Sequence, residues 1–154
     1  MKYWLMKSEP ETYSIDDLHL EQKTGWDGIR NYQARNLMRD QMQVGDQVLF
    51  YHSNAKPPGV AGLAVVSQTG LVDPSQFDSS SKYFDPKASL EAPRWIMVEI
   101  TYKSSFSHFV PLPDLRQQKE LEGLMVIQKG SRLSVQPVSQ QHFETICQMG
   151  GARV

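Results

Sequence analysis

One short run of the chain concentrates residue types that suit the binding of a flat, polar ligand. Residues 26–39 read WDGIRNYQARNLMR and hold two large aromatic residues, three arginines and two asparagines around one glycine. Arginine presents a planar fork of donors that fits a phosphate, a carboxylate or a base edge. Tryptophan offers a flat face on which a nucleobase can stack. The run therefore predicts recognition of a planar, polar and partly anionic ligand.

The composition is that of an ordinary globular chain of 154 residues with a net charge of −1. This length fits one domain, residues 1–154, that buries its own core. The charge argues against a general packaging protein, whose affinity for nucleic acid comes mainly from phosphate neutralisation. A local basic face is still permitted, because Arg30, Arg35 and Arg39 lie in a stretch without acids. The single Cys147 excludes an intrachain disulfide and a cysteine-rich zinc site.

The chain has no segment that predicts entry into a membrane. No apolar run approaches the roughly 20 residues that span a bilayer. Residues 2–7 read as a strand and lack the apolar region of a signal peptide. We therefore expect a cytosolic location, or a nuclear one if the source is a eukaryote.

The elements that must position these residues do not alternate regularly. Strands are predicted at 2–7, 47–52, 60–66, 94–102, 106–110 and 132–138. Helices are predicted from Ser14 to about 20, after an Asn31 cap to about 42, at 113–121, and from Ser139 to 149. Residues 73–93 read as a long loop pinned by aromatic residues. This order disfavours a doubly wound parallel sheet and predicts one α+β domain, with a curved mixed sheet or small barrel and helices outside.

Four motifs in order resemble the signature of the EVE domain, a family of the PUA-like superfold that is related to the YTH readers of methylated RNA. They are Lys7-Ser8-Glu9-Pro10, residues 26–36, Tyr51-His52-Ser53-Asn54 and Arg132-Leu133-Ser134-Val135-Gln136-Pro137. The resemblance covers nearly the whole chain. It implies a PUA-like pseudo-barrel flanked by helices, no catalysis, and a central pocket for a modified base. The pocket candidates carried over by motif are Ser8, Glu9, Trp26, Arg30, Asn31, Tyr51, His52, Ser53 and Arg132.

The chemistry of these residues agrees in kind with a nucleic-acid partner, DNA or RNA. A base inside a duplex must be flipped out at a cost of a few kcal/mol, and stacking on Trp26 returns roughly 1–3 kcal/mol. Candidates for contacts to backbone phosphates are Arg30, Arg35, Arg39 and Lys56. Such contacts position a strand without reading its sequence. No metal or cofactor is expected, and the sequence leaves open the base modification and the oligomeric state.

Each candidate also has a purely structural interpretation. Trp26 could be a core residue, and His52 could be a satisfied structural histidine. Glu9 could pair with an arginine in a turn, and Arg35 and Arg39 could form a solvated helix face.

Three rival functions stay open on the sequence alone. An enzyme could use Glu9 with His52 for acid–base work, but the nucleophile-elbow motif and a phosphate-cradling glycine loop are absent. A protein-interaction module would expose apolar surface in the long loop. A small-molecule sensor would use the same pocket for a free nucleobase or nucleoside.

Overall fold

One mixed sheet of six strands organises the part of the chain that the computed structural model describes, residues 1–152. The strands are β1 (Tyr3–Ser8), β2 (Lys23–Gly25), β3 (Gln47–His52), β4 (Gly59–Val72), β5 (Ile96–Pro111) and β6 (Val135–Val138). Their order across the sheet is β2-β5-β4-β3-β1-β6. Only β1 and β3 run parallel among the neighbouring pairs of this described region. The sheet is curved and unclosed, which confirms the predicted α+β class with a curved mixed sheet.

Four α-helices lie between and after the strands of the described residues. They are α1 (Ile15–Glu21), α2 (Tyr32–Asp40), α3 (Leu112–Gln117) and α4 (Gln140–Met149). The predicted N-caps are confirmed: side chains of Ser14, Asn31 and Ser139 accept hydrogen bonds from the first turns of α1, α2 and α4. These caps satisfy backbone N–H groups that a helix start leaves without partners. Within residues 1–152, no helix combines the length and the apolar character needed to span a bilayer.

Strands β1 and β3 are buried on both faces, and two separate core clusters cover them. Successive side chains of a strand point to opposite faces. Trp4 and Met6 of β1 therefore pack in a cluster with Met38 of α2, whereas Leu5 packs in the other cluster with Phe143 of α4. Full burial of such side chains contributes about 1.5–3 kcal/mol each.

A buried carboxylate ties β1 to the turn that follows α2. Asp46 is 2% exposed and accepts a hydrogen bond at 2.9 Å from the indole Nε1 of Trp4. The same carboxylate accepts bonds at 3.0 Å from the backbone N–H of Lys2 and at 2.9 Å from that of Gln43. These bonds satisfy a charge that would be costly to bury alone.

The long antiparallel pair β4 and β5 departs from the predicted element boundaries. The two strands predicted at 94–102 and 106–110 are one strand, β5, and β4 extends to Val72. Four register shifts interrupt the pairing, and such bulges bend a strand without ending it. The strand β2 was not predicted, and it pairs with β5 over only three residues. The helix predicted at 113–121 ends at Gln117 and is followed by a separate 3₁₀ turn, Lys119–Leu121.

Candidate functional site

A cavity of about 660 Å³ opens beside the ends of β1 and β3 and the segment that follows β2. This volume lies in the range of roughly 300–1,000 Å³ that is typical of ligand pockets. Five of the nine residues predicted for the pocket line it: Ser8, Glu9, Trp26, Ser53 and Arg132. The cavity thus brings together residues from all four sequence motifs, although those motifs are far apart along the chain.

The parallel pairing of β1 and β3 explains why two of these motifs meet. Ser8 pairs with His52 in the register of the two strands, so both strands end at the same edge. The backbone N–H of Ser53 donates to the carbonyl of Ser8 at 2.9 Å. Next to them, Asn54 Nδ2 donates to Glu9 Oε1 at 2.8 Å. The two strand ends therefore form one continuous polar wall.

Trp26 forms an aromatic wall of the cavity. Its backbone N–H donates to the carbonyl of Val98 on β5 at 2.8 Å, which fixes the segment after β2 against the sheet. The residue is 7% exposed, and its indole meets Phe50 edge to face, with ring centroids 5.5 Å apart. Trp26 is therefore both a member of the core cluster and a lining residue of the cavity.

Arg30 joins this wall to the long loop at residues 73–93. Its Nη1 donates to Asp73 Oδ2 at 3.0 Å, its Nε donates to the carbonyl of Tyr83 at 2.9 Å, and its Nη2 donates to Ser75 Oγ at 3.0 Å. Arg30 does not line the cavity, because its guanidinium is used in holding the loop. The loop in turn places Lys82 and Tyr83 at the cavity.

The carboxylate of Asp73 holds Arg30 and the turn at Gly28 against the start of the long loop. The residue is 1% exposed and also accepts from the backbone N–H of Gly28 at 2.8 Å. Burial by itself raises the pKa of Asp73, but hydrogen bonds from Ser75, Gly28 and Arg30 outweigh it and hold the pKa below its ordinary value. Gly28 has φ +78°, and a Cβ there would lie 2.7 Å from the ring of Tyr83. The tight turn and the aromatic ring therefore fit together only with glycine.

Like Arg30, the other two arginines predicted to contact phosphate have partners within the protein. The guanidinium of Arg35 lies 4.6 Å from the ring of Tyr32, and its Nη1 donates to the carbonyl of Arg94 at 3.0 Å. Arg39 forms an ion pair with Asp40 on the exposed side of α2, with a 2.7 Å N–O distance. Neither arginine lines the cavity.

The remaining predicted residues also lie away from the cavity lining. Tyr51 is buried in the core cluster opposite Trp26. His52 Nε2 accepts a hydrogen bond from the backbone N–H of Ile15 at 3.1 Å, and burial lowers the pKa of His52. Asn31 caps α2, and Lys56 is exposed in the loop after β3.

Sequence reasoning did not select several charged residues that the structure places at the cavity. Lys7 lines it, donates from Nζ to the carbonyl of Ser131 at 3.2 Å, and has a pKa lowered by burial. Asp27 lies at the rim of the cavity and is exposed. The pKa of its carboxyl is raised, first because the carboxyl is partly shielded from water and second because of the negative charge of Asp73. Both residues adjoin selected ones in the motifs, and Lys82 lies in the loop already singled out. Across residues 1–152, no three His, Cys, Asp or Glu side chains gather as a metal site would require.

A second, shallower cavity of about 450 Å³ adjoins the first. Arg132 lines both cavities, and Lys129 lines the second. Its other lining residues are uncharged: Asn31, Gln33, Met125, Gln128, Gly130, Ser131 and Leu133. The second cavity therefore carries positive charge without a carboxylate in its lining.

Comparison with known proteins shows what this chain is similar to. The family model described as EVE domain matches residues 2–149. Thymocyte nuclear protein 1 of Danio rerio is 41% identical over 161 residues, which covers 93% of this chain and 69% of that protein. A hypothetical protein from Leishmania major has a solved structure with 46% identity and a TM-score of 0.93, covering 98% of this chain and 95% of that chain. The crystal structure of human THYN1 protein in complex with 5-methylcytosine-containing DNA has 35% identity and a TM-score of 0.91, with 100% of both chains covered. These similarities confirm the predicted family resemblance.

Proposed function

Because the chain belongs to the EVE domain family, we propose that it is a non-catalytic domain that binds nucleic acid by accommodating a modified base in the 660 Å³ cavity. The observation that carries the proposal is the position of Trp26, which presents an aromatic wall beside polar side chains from the other three motifs. The human relative crystallised with 5-methylcytosine-containing DNA supports 5-methylcytosine as the first base to test and DNA as the first strand.

The cavity supplies the two kinds of contact that a flipped base needs. Trp26 and Tyr83 offer aromatic surface, and stacking returns roughly 1–3 kcal/mol per base. That amount offsets the few kcal/mol spent on flipping the base out of a duplex. Ser8 and Ser53 offer hydroxyl groups that donate or accept at a base edge. A single-stranded or mismatched base costs less to extrude and is therefore expected to bind more tightly than a paired one.

The second cavity gives the sugar–phosphate backbone a path away from the base. A flipped nucleotide keeps its flanking phosphates, and Arg132 stands between the base cavity and the adjoining one. Lys129 and Arg132 are therefore better placed for phosphate than Arg35 and Arg39, whose side chains are held by partners within the protein. This cationic path favours a nucleic-acid strand over a free nucleobase, which carries no phosphate.

The geometry also favours binding over catalysis. Glu9 lines the cavity, but His52 does not, and its Nε2 is used by the start of α1. The acid–base pair that an enzyme could have built from these two residues is therefore not assembled in the cavity.

Titration of short labelled oligonucleotides tests the proposal. DNA and RNA strands, each plain or carrying one central 5-methylcytosine, are titrated with the wild type, Trp26→Ala and Trp26→Phe. We expect tighter binding to a modified strand, a loss of about ten- to hundredfold in Trp26→Ala from lost stacking, and a smaller loss in Trp26→Phe, which keeps an aromatic wall. Equal binding of all strands by Trp26→Ala and the wild type would contradict a role for this cavity.

Salt dependence tests the backbone path separately. On duplex DNA, each phosphate contact contributes about −0.9 to the slope of log K against log salt. Arg132→Gln should reduce the magnitude of that slope by about this amount. Lys119→Gln removes an exposed cation outside both cavities and should leave the slope unchanged. Equal slopes for the wild type and Arg132→Gln would show that Arg132 does not contact a phosphate.

A further inference from the structure

We propose that Asp27 selects an amino-bearing pyrimidine, cytosine or its 5-methyl form, against thymine and uracil by accepting a hydrogen bond from the exocyclic amino group. This inference rests on the proposed function, because it assigns a reading role inside the same cavity. The inference concerns the edge of the base, whereas the proposed function concerns the face of the base and the sugar–phosphate backbone of the strand.

The backbone on both sides of Asp27 is fixed. The N–H of Trp26 is bonded to Val98 at 2.8 Å, the N–H of Asp27 to Gly25 at 3.0 Å, and the N–H of Gly28 to the Asp73 carboxylate at 2.8 Å. Both Trp26 and Asp27 line the cavity. In the proposed pose, a base that stacks on the indole has the carboxylate of the next residue at its edge.

The carboxylate of Asp27 is free to bind. Its own backbone N–H interacts with it. No other residue within 1–152 donates a hydrogen bond to it or forms an ion pair with it. The other carboxylate that lines the cavity, Glu9, already accepts from Asn54 Nδ2 at 2.8 Å. Of the two carboxylates in the lining, Asp27 is therefore the one that no other described residue engages.

The two classes of pyrimidine differ at the atom that such an acceptor reads. Cytosine and 5-methylcytosine carry a 4-amino group, which donates, whereas thymine and uracil carry a 4-carbonyl, which only accepts. An ionised carboxylate only accepts. The carboxylate therefore forms a hydrogen bond with the amino group of cytosine. It forms none with the carbonyl of thymine or uracil, because neither group carries a proton to donate. Once the bound base displaces water from this side of the carboxylate, a site that hydrogen-bonds the amino group rejects the analogue that lacks it, because the carboxylate is then left without a partner there.

Two single-stranded oligonucleotides that differ only at one central base test this role. One carries 5-methylcytosine and the other thymine; both bases have the 5-methyl group, so the comparison isolates the 4-position, and single strands remove differences in pairing. We expect the wild type to prefer 5-methylcytosine by about ten- to hundredfold, the effect of one hydrogen bond to a charged group. Asp27→Asn offers a donor as well as an acceptor and should bring the ratio close to one while both strands still bind. Asp27→Ala should weaken binding of the 5-methylcytosine strand.

Two matched variants separate the reading role from charge and from the rival acceptor. Asp114→Asn removes one negative charge from an exposed position on α3 that lines neither cavity, and it should keep the wild-type ratio. Glu9→Gln tests the rival acceptor, and its ratio should exceed that of Asp27→Asn. A ratio that collapses in Glu9→Gln and survives in Asp27→Asn would overturn the assignment, as would a wild type that binds both strands equally. A wild type that binds neither strand would refute the proposed function itself, and the inference with it.

Discussion

Replacing Gly28 by alanine tests whether the turn after Trp26 sets the position of Tyr83. Gly28 has φ +78°, and an added Cβ would lie 2.7 Å and 2.8 Å from two carbon atoms of the Tyr83 ring. Gly70 is a matched control, because it has φ +70° and a Cβ there would meet nothing within 4 Å. The two substitutions share the backbone strain and differ in the contact with the ring.

The expected costs follow from these two contributions. A left-handed backbone conformation costs an L-residue about 1–2 kcal/mol, so Gly70→Ala should lower the free energy of unfolding by that amount. Forcing the Tyr83 ring to move adds about 1–3 kcal/mol of overpacking. Gly28→Ala should therefore cost about 2–5 kcal/mol. Because Tyr83 lines the cavity, Gly28→Ala should also weaken binding of the 5-methylcytosine oligonucleotide, and Gly70→Ala should not.

Urea unfolding of a double-mutant cycle isolates the ring contact. In a Tyr83→Ala background, Gly28→Ala should cost only the backbone strain, which gives a coupling free energy of about 1–3 kcal/mol. Equal costs for Gly28→Ala and Gly70→Ala, or a coupling near zero, would show that the turn does not position the loop.

Three further predictions concern the core and its titratable groups. Trp4→Phe removes the indole donor to Asp46 and should lower the free energy of unfolding by about 1.5–3 kcal/mol in urea; an unchanged midpoint would contradict this. Burial lowers the pKa of His52, so its contribution to stability should be complete above about pH 6.5 and be lost as the pH falls through the folded pKa. Urea unfolding between pH 7.5 and 5.5 should show that loss in the wild type and a smaller one in His52→Gln. Burial raises the pKa of the Cys147 thiol to about 11, so a thiol reagent should label it slowly at pH 8 in the folded protein and rapidly in urea.

The parts of the fold that depend on local chemistry could be predicted from the sequence. The Ser14 and Asn31 caps were found because a cap acts within three residues of itself. The continuity of β5 and the existence of β2 were missed, because both depend on pairing with distant segments. Residues 103–105 read as a polar gap between two strands, yet register shifts against β4 carry one strand through them.

The candidate site likewise contains parts that the sequence predicted and parts that depend on contacts between distant residues. The motifs identified Ser8, Trp26 and Arg132, which line the cavity, and their roles in binding stay predictions. Arg30 was selected for its donor fork, but the carboxylate it binds is Asp73, 43 positions further along the chain. The sequence alone does not show which acidic residue the fold brings into contact with which arginine. For the same reason the long loop was noticed, but the approach of Tyr83 to the cavity was not.

The position of β1 between β3 and β6 has a consequence for how the protein folds. Tyr3 pairs with Gln47 on one side and with Val138 on the other, so β1 gains its second neighbour only when nearly the whole chain has been made. Ser134, at the approach to β6, forms part of the cavity wall. Contacts of such long sequence separation slow folding, and the cavity wall is complete only once the segment leading into β6 has joined β1. A bound ligand would therefore stabilise the entire domain against unfolding, and a fragment that stops before β6 should show neither the cooperative transition nor the binding.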